Sequence, residues 1–166
     1  SVTGVQTCAL PISPVGADPT TTTAAYGDWI LRCVKSADGA QKICEVAQSI
    51  LLEGQQAPVA QIALGRISAK DPLRFTLVLP NNVTLIAAPK VATGEADKQP
   101  IDLAWQRCLP GGCFADTSMK DEVLARWRAA TGMGAITFTD GGNRPVAIPF
   151  SFRGLPQALD ALAKSN

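Results

Sequence analysis

Trp29-Ile-Leu-Arg-Cys33-Val34, Ser36-Ala-Asp-Gly39 and Ile43-Cys44-Glu-Val-Ala-Gln-Ser-Ile-Leu-Leu52 are the stretches that decide the fold. Two runs rich in apolar and β-branched residues flank a turn-forming tetrapeptide, which is the pattern of a β-hairpin. Folded back on itself, that hairpin sets Cys33 across from Cys44, where Cβ atoms approach closely enough to bridge. A second close pair, Cys108 and Cys113, brackets Leu-Pro-Gly-Gly. Cysteines at such short range, in a chain of short strands, point to disulfides made outside the reducing cytosol.

Outward from this hairpin the same logic repeats. Residues 59–67 and 73–79 read as strands. In the second, Leu73, Phe75, Leu77 and Leu79 share one face against Arg74, Thr76 and Val78, the alternation of a half-buried strand. Pro80-Asn-Asn82 turns the chain before a strand at 83–86; residues 89–100 are polar and loop-prone; 101–107 reads as a strand running into Cys108. A second hairpin, 135–139 and 146–152, closes around Asp140-Gly-Gly-Asn143. Ser118 followed by Asp121 has the spacing of a capping box, with Val123, Leu124, Trp127 and Thr131 on a helical stripe behind it and Gly132 as a stop. Leu155, Ala158, Leu159 and Leu162 form the stripe of a closing helix. The expected architecture is mainly β, an antiparallel β-sandwich or flattened barrel of about eight to ten short strands. Two short helices, over 118–131 and 155–164, complete it.

At 166 residues a single domain is the natural expectation, and 46% apolar content against 17% charged is core-rich. Fifteen basic and fourteen acidic side chains leave a net charge of +1, too little to draw in nucleic acid or anionic lipid. No stretch approaches the roughly 20 apolar residues of a spanning helix. Residues 1–25 are read as a disordered lead-in and 26–166 as the domain. The opening Ser1 to Ser13 has no strand or helix logic and resembles a cloning scar or translated adaptor; 14–25, with four threonines in a row, has the composition of a linker. No signal peptide is visible in it, for it lacks a basic start and a continuous apolar centre. Cys8 is then an accidental odd thiol; the alternative of a lipid-bearing cysteine fits poorly with Val-Gln-Thr before it.

Chemistry is scarce. The chain has no histidine, which removes Ser–His–Asp and Cys–His nucleophiles and the commonest metal ligand. Three pairings of the four cysteines are possible, and proximity in the chain alone favours the local one. The rivals to disulfides are free thiols and a four-cysteine zinc site, but the gaps of ten and four residues are wider than a zinc knuckle uses. The Cys108–Cys113 spacing is also wider than that of a catalytic dithiol. Thr117-x-x-Lys120 has lysine-activated hydroxyl spacing, yet the adjacent Ser118 is better explained as a helix cap. Gly132-Met-Gly134 follows a helix instead of a strand, so it reads as a stop and turn, not a dinucleotide loop. The acids are scattered apart from Asp121 and Glu122, which suit the first turn of a helix. A hydrolase pair could still assemble from distant strands. The expectation is no enzyme, with no catalytic, cofactor-binding or metal-binding residue. Of Trp29, Trp105 and Trp127, two are expected in the core, because tryptophans near disulfides in sandwiches pack there. An exposed one would anchor a partner, and Arg126, Trp127 and Arg128 are the candidate partner-binding group. The plainer reading of that trio is a helix with solvated arginines.

From Trp29 to Leu162 the chain resembles the invasion-associated locus B family of bacterial envelope proteins. The resemblance rests on Trp29-Ile-Leu-Arg-Cys33 with Cys44, Leu77-Val-Leu-Pro-Asn-Asn-Val-Thr-Leu85, Cys108-Leu-Pro-Gly-Gly-Cys113-Phe-Ala and Phe152-Arg-Gly-Leu-Pro-Gln-Ala-Leu159, in that order. It implies a small, mostly β protein, periplasmic or extracellular in Gram-negative bacteria, whose founding members are linked to host-cell invasion. The family carries no established catalytic residue to transfer. The function expected is a non-enzymatic binding or envelope-associated module without cofactor, its partner an unidentified protein or envelope component, and its state a monomer or weak oligomer. The alternatives are a structural or stress-protective envelope protein without a dedicated ligand, and a carboxylate-based hydrolase.

Overall fold

Alternation of buried and exposed side chains along successive strands builds two sheets over one core. The computed structural model describes residues 20–165; the adaptor reading, most of the lead-in and Cys8 lie outside them. The described residues open with β1 (Thr21–Tyr26), β2 (Trp29–Lys35), β3 (Lys42–Ile50), β4 (Ala60–Gly65) and β5 (Arg74–Leu79). It continues through β6 (Lys90–Ala92), β7 (Ile101–Asp102), β8 (Ala104–Leu109), β9 (Gly112–Ser118) and α1 (Asp121–Ala129). β10 (Met133–Thr139), β11 (Pro145–Ser151) and α2 (Leu155–Ser165) complete it.

The first five strands form a meander, and β9 and β8 extend it into a seven-stranded antiparallel sheet of order β1-β2-β3-β4-β5-β9-β8. The remaining four strands make a separate antiparallel sheet, β11-β10-β6-β7. The two sheets are not closed into a barrel. Between them lie Trp29, Val46, Ile62, Leu64, Phe75 and Leu77 from the large sheet and Val91, Ile136, Ile148 and Phe150 from the small one. The stripe on α2, Leu155, Ala158, Leu159 and Leu162, is buried in the same cluster. Trp127 joins the layers: its ring lies 5.2 Å from Phe75, 5.6 Å from Phe152 and 5.9 Å from Phe150.

Two polar devices tie the sheets together. Gln48, almost fully buried on β3, uses its amide as a substitute strand: Nε2 donates to the Ser151 carbonyl (3.0 Å) while Oε1 accepts from the Ser151 N–H (3.0 Å). The Trp29 indole also donates to that carbonyl (2.9 Å). At the start of α2, the Asp28 N–H donates to the Arg153 carbonyl (3.0 Å). That approach needs Gly154, whose φ is +87° and where any Cβ would lie 2.0 Å from the Tyr26 carbonyl oxygen.

Several expectations are corrected. The threonine run is not part of a lead-in but strand β1, in full register with β2 and suited to it by the β-propensity of threonine. Residues 83–86 are no strand: Val83 alone bridges Asp140, and Thr84 caps the end of β10 through the Thr139 and Asp140 carbonyls. The polar stretch 89–100 contains β6, which covers the free edge of β10. The strand at 101–107 splits at the buried Leu103, where the chain changes sheets between β7 and β8. The strand β9 was not foreseen. Ser118 does not cap α1, because it ends β9 opposite Arg74, and the Met119 N–H continues the ladder to the Leu73 carbonyl (2.7 Å). The helix therefore starts only after Lys120, without a side-chain cap, and is shorter than 118–131.

Candidate functional site

The pleat sends alternate residues of the seven-stranded sheet away from the core, and these build its outer face. Across the middle of that face the register sets Arg32 beside Glu45, Glu45 beside Gly65, Gly65 beside Arg74, and Arg74 beside Ser118. One row over stand Ala47, Ala63, Thr76 and Asp116. Ala63 and Gly65 supply almost no side chain at the centre, so the larger neighbours become walls around a shallow groove of about 350 Å³. Gly65 is needed for this: a Cβ there would stand 3.0 Å from that of Glu45.

The walls are charged and held in place. Arg32 is hydrogen-bonded to Glu45 across the strands. On the other side Arg74 Nη2 donates to Asp116 (2.6 Å) and Nη1 to the Ser118 hydroxyl (3.1 Å), while Gln106 donates to Asp116 (3.1 Å). Gln106 reaches there because a bulge between Trp105 and Arg107 re-aims the strand. Arg107 lies over the Phe114 ring at 5.3 Å, a cation–π contact. Ile43 and Ile67, both largely exposed, add apolar surface at one end. The result is an open trough with both signs of charge and a smooth floor.

Asp28, Asp97 and Asp140 lie outside the groove and are held below the ordinary carboxylate range. Asp28 is lowered to about 2, chiefly by its hydrogen bonds from Arg153 (2.6 and 3.1 Å). Burial alone would raise the Asp97 carboxyl, but the N–H groups of Thr93 and Gln99, with Arg126 nearby, hold it below the usual range. Asp140 is lowered first by the Arg144 N–H; it organises the β10–β11 turn by accepting from Gly142 and Arg144.

The sequence-derived candidates distribute as follows. Cys33 is disulfide-bonded to Cys44, and Cys108 to Cys113. Each sulfur is consumed in a bond, which leaves none of the four to ligate zinc. The Cys33–Cys44 bridge lies on the inner face near the end of α2, whereas Cys108 is at the exposed tip of the β8–β9 hairpin. Trp29 and Trp127 are buried and Trp105 is half-buried, its indole holding the Ala87 carbonyl (3.0 Å). Arg126, Trp127 and Arg128 do not form one surface, which corrects the idea of Trp127 as an exposed anchor. The helix turns its ring into the aromatic core; Arg126 binds Asp97 (3.2 Å) and Arg128 binds Asp160 on α2 (2.9 Å). The groove was missed in the sequence. Its only trace there is a pair of small residues, Ala63 and Gly65, on the solvent face of an otherwise bulky strand.

Comparison with known proteins supplies three findings. The sequence model described as "Invasion associated locus B (IalB) protein" matches residues 29–163. Invasion protein B homologs of Brucella abortus, from strain 2308 and from biovar 1 strain 9-941, are each 26% identical over 137 residues, covering 82% of this chain and 76% of theirs. The crystal structure of invasion associated protein b from Bartonella henselae superposes with a TM-score of 0.74 at 20% identity, covering 86% of this chain and 95% of that one. The last likeness is one of fold.

Proposed function

The chain belongs to the invasion-associated locus B family, and from that premise we propose that it is an exported, non-enzymatic binding module of the bacterial envelope. The observation that carries the reading is the groove on the outer face. A small-residue floor between fixed charges of both signs fits an extended polypeptide segment. Small-molecule sites, by contrast, are mostly enclosed and apolar with a few convergent polar groups. The two disulfides favour a compartment that oxidises thiols, hence the periplasm or the cell surface. The relatives' names speak of invasion; a host-facing role for this chain is part of the proposal.

The competing hydrolase reading has one point in its favour, since Glu45 and Asp116 line the same groove. Each is engaged by an arginine, however, so neither carboxylate is free to meet a substrate. The carboxylates of Asp28, Asp38, Asp97 and Asp140 lie outside the groove and are all lowered, the direction opposite to the one a general acid needs. The test is capture from the envelope fraction of the producing organism with wild type and with Ala63→Trp, which fills the trough from a position already facing solvent. A partner retained by wild type and lost from a variant of unchanged melting temperature supports the reading. Equal capture by both removes the groove from it.

A further inference from the structure

A β-sheet edge exposes unpaired backbone donors and acceptors, and proteins block such edges with charge, proline, bulges or short strands. Among the described residues four edges occur, and three are blocked. β8 carries the bulge and Arg107, with the 80–89 loop fastened beside it through the Trp105–Ala87 bond. β11 contains Pro145 and Pro149. β7 is two residues long.

β1 has none of these devices. Its sequence, Thr-Thr-Thr-Ala-Ala-Tyr, is uncharged, free of proline and paired with β2 without irregularity. Residues Thr21 to Ala25 are all exposed. The Lys35 N–H donates to the Thr20 carbonyl (2.8 Å), which sets the phase of the ladder. By the alternation of antiparallel pairs, Thr22 and Ala24 spend their backbone groups on β2, while those of Thr21, Thr23 and Ala25 point away from the sheet.

We propose that β1 is an interaction edge through which two copies of this chain join, antiparallel about a twofold axis near Thr23, into one continuous sheet. The edge is its own complement. Such pairing sets Thr23 against Thr23 of the partner subunit and puts threonines against alanines on either side, with no like charges facing. The nearest cation, Arg32 on β2, is already neutralised by Glu45, and the chain's net charge of +1 opposes self-association little. The outer faces of the two copies would then run together, bringing two grooves onto one surface.

Sedimentation equilibrium of the full chain tests this, with Thr23→Pro and Thr23→Lys as variants. Among the described residues none accepts from the Thr23 N–H, so proline removes only the bond to the second copy, once in each subunit. The expected result is a concentration-dependent dimer that Thr23→Pro weakens by about thirtyfold, two ordinary backbone hydrogen bonds at about fivefold each. Thr23→Lys sets like charges opposite and should weaken it also; it decides the matter if the proline variant fails to fold. In a Cys8→Ser background, Thr23→Cys should cross-link on mild oxidation. A monomer at every concentration, or a dimer indifferent to whichever of the two Thr23 variants folds, overturns the proposal.

Discussion

Removing the Cys33–Cys44 bridge by double alanine substitution should destabilise the protein more than removing Cys108–Cys113, for a reason the loop lengths alone do not supply. With sequence separations of 11 and 5, loop closure is worth ~2.8 and ~2.2 kcal/mol, nearly the same. Burial separates them. Cys33 and Cys44 are 5% and 1% exposed, between core residues of β2 and β3, whereas Cys108 lies in solvent and only Cys113 is buried. Each buried sulfur lost leaves unfilled space costing on the order of 1 kcal/mol, which brings the totals to about 5 and about 3 kcal/mol. For a domain of this size, at roughly 3 °C per kcal/mol, the melting temperature should fall by about 15 °C and about 9 °C. Calorimetry without reductant at neutral pH measures both. Titration of denatured, unreduced wild type checks the premise: with four of the five cysteines bonded, no more than one thiol should react. Equal falls, or a larger one for the hairpin-tip pair, would refute the claim that packing around the sulfurs makes the difference.

Two further outcomes follow from the ties between the sheets. Gln48→Ala leaves the half-buried Ser151 N–H and carbonyl without the amide that joins them, and urea unfolding should show a loss of about 2 kcal/mol; a loss near zero would mean that water or backbone shift replaces the amide. The Asp28 carboxyl, lowered to about 2 from 3.8 by Arg153, contributes stability that is complete above pH 3.8 and disappears as pH falls towards 2. Because the pair is more than one-third exposed, solvent screening reduces that contribution to about 0.5 kcal/mol. Asp28→Asn should therefore lower stability slightly at neutral pH and flatten the acid limb of the unfolding profile, and an unchanged profile would show the pair to be idle.

The parts of the fold that were legible in the sequence are those in which one period dominates. The 73–79 strand places Leu73, Phe75, Leu77 and Leu79 inward as its alternation requires, and α2 buries the four residues of its stripe. The Ile101–Arg107 stretch shows the opposite case. Its composition is uniformly strand-like, yet Leu103 drops into the core and divides it between two sheets, a choice made by partners far away in the chain. Ser118 carries a helix-capping pattern, but the pairing of β9 with β5 claims it first, because a ladder across six residue pairs outweighs one local cap. The threonine run has a linker's composition until β2 offers it hydrogen bonds.

The sequence by itself determined the β2–β3 and β10–β11 hairpins, the closeness in the chain that favours the two cysteine pairs, the helical stripe of α2 and the family, since each depends on residues close in the chain or on their order. Only the tertiary structure decided that Trp127 serves the core, that Ala63 and Gly65 open a groove between paired charges, and that Gln48 stitches one sheet to the other. Those outcomes depend on which strands become neighbours, and neighbours are chosen by burying the whole apolar surface at once, a sum over distant residues that no local pattern contains.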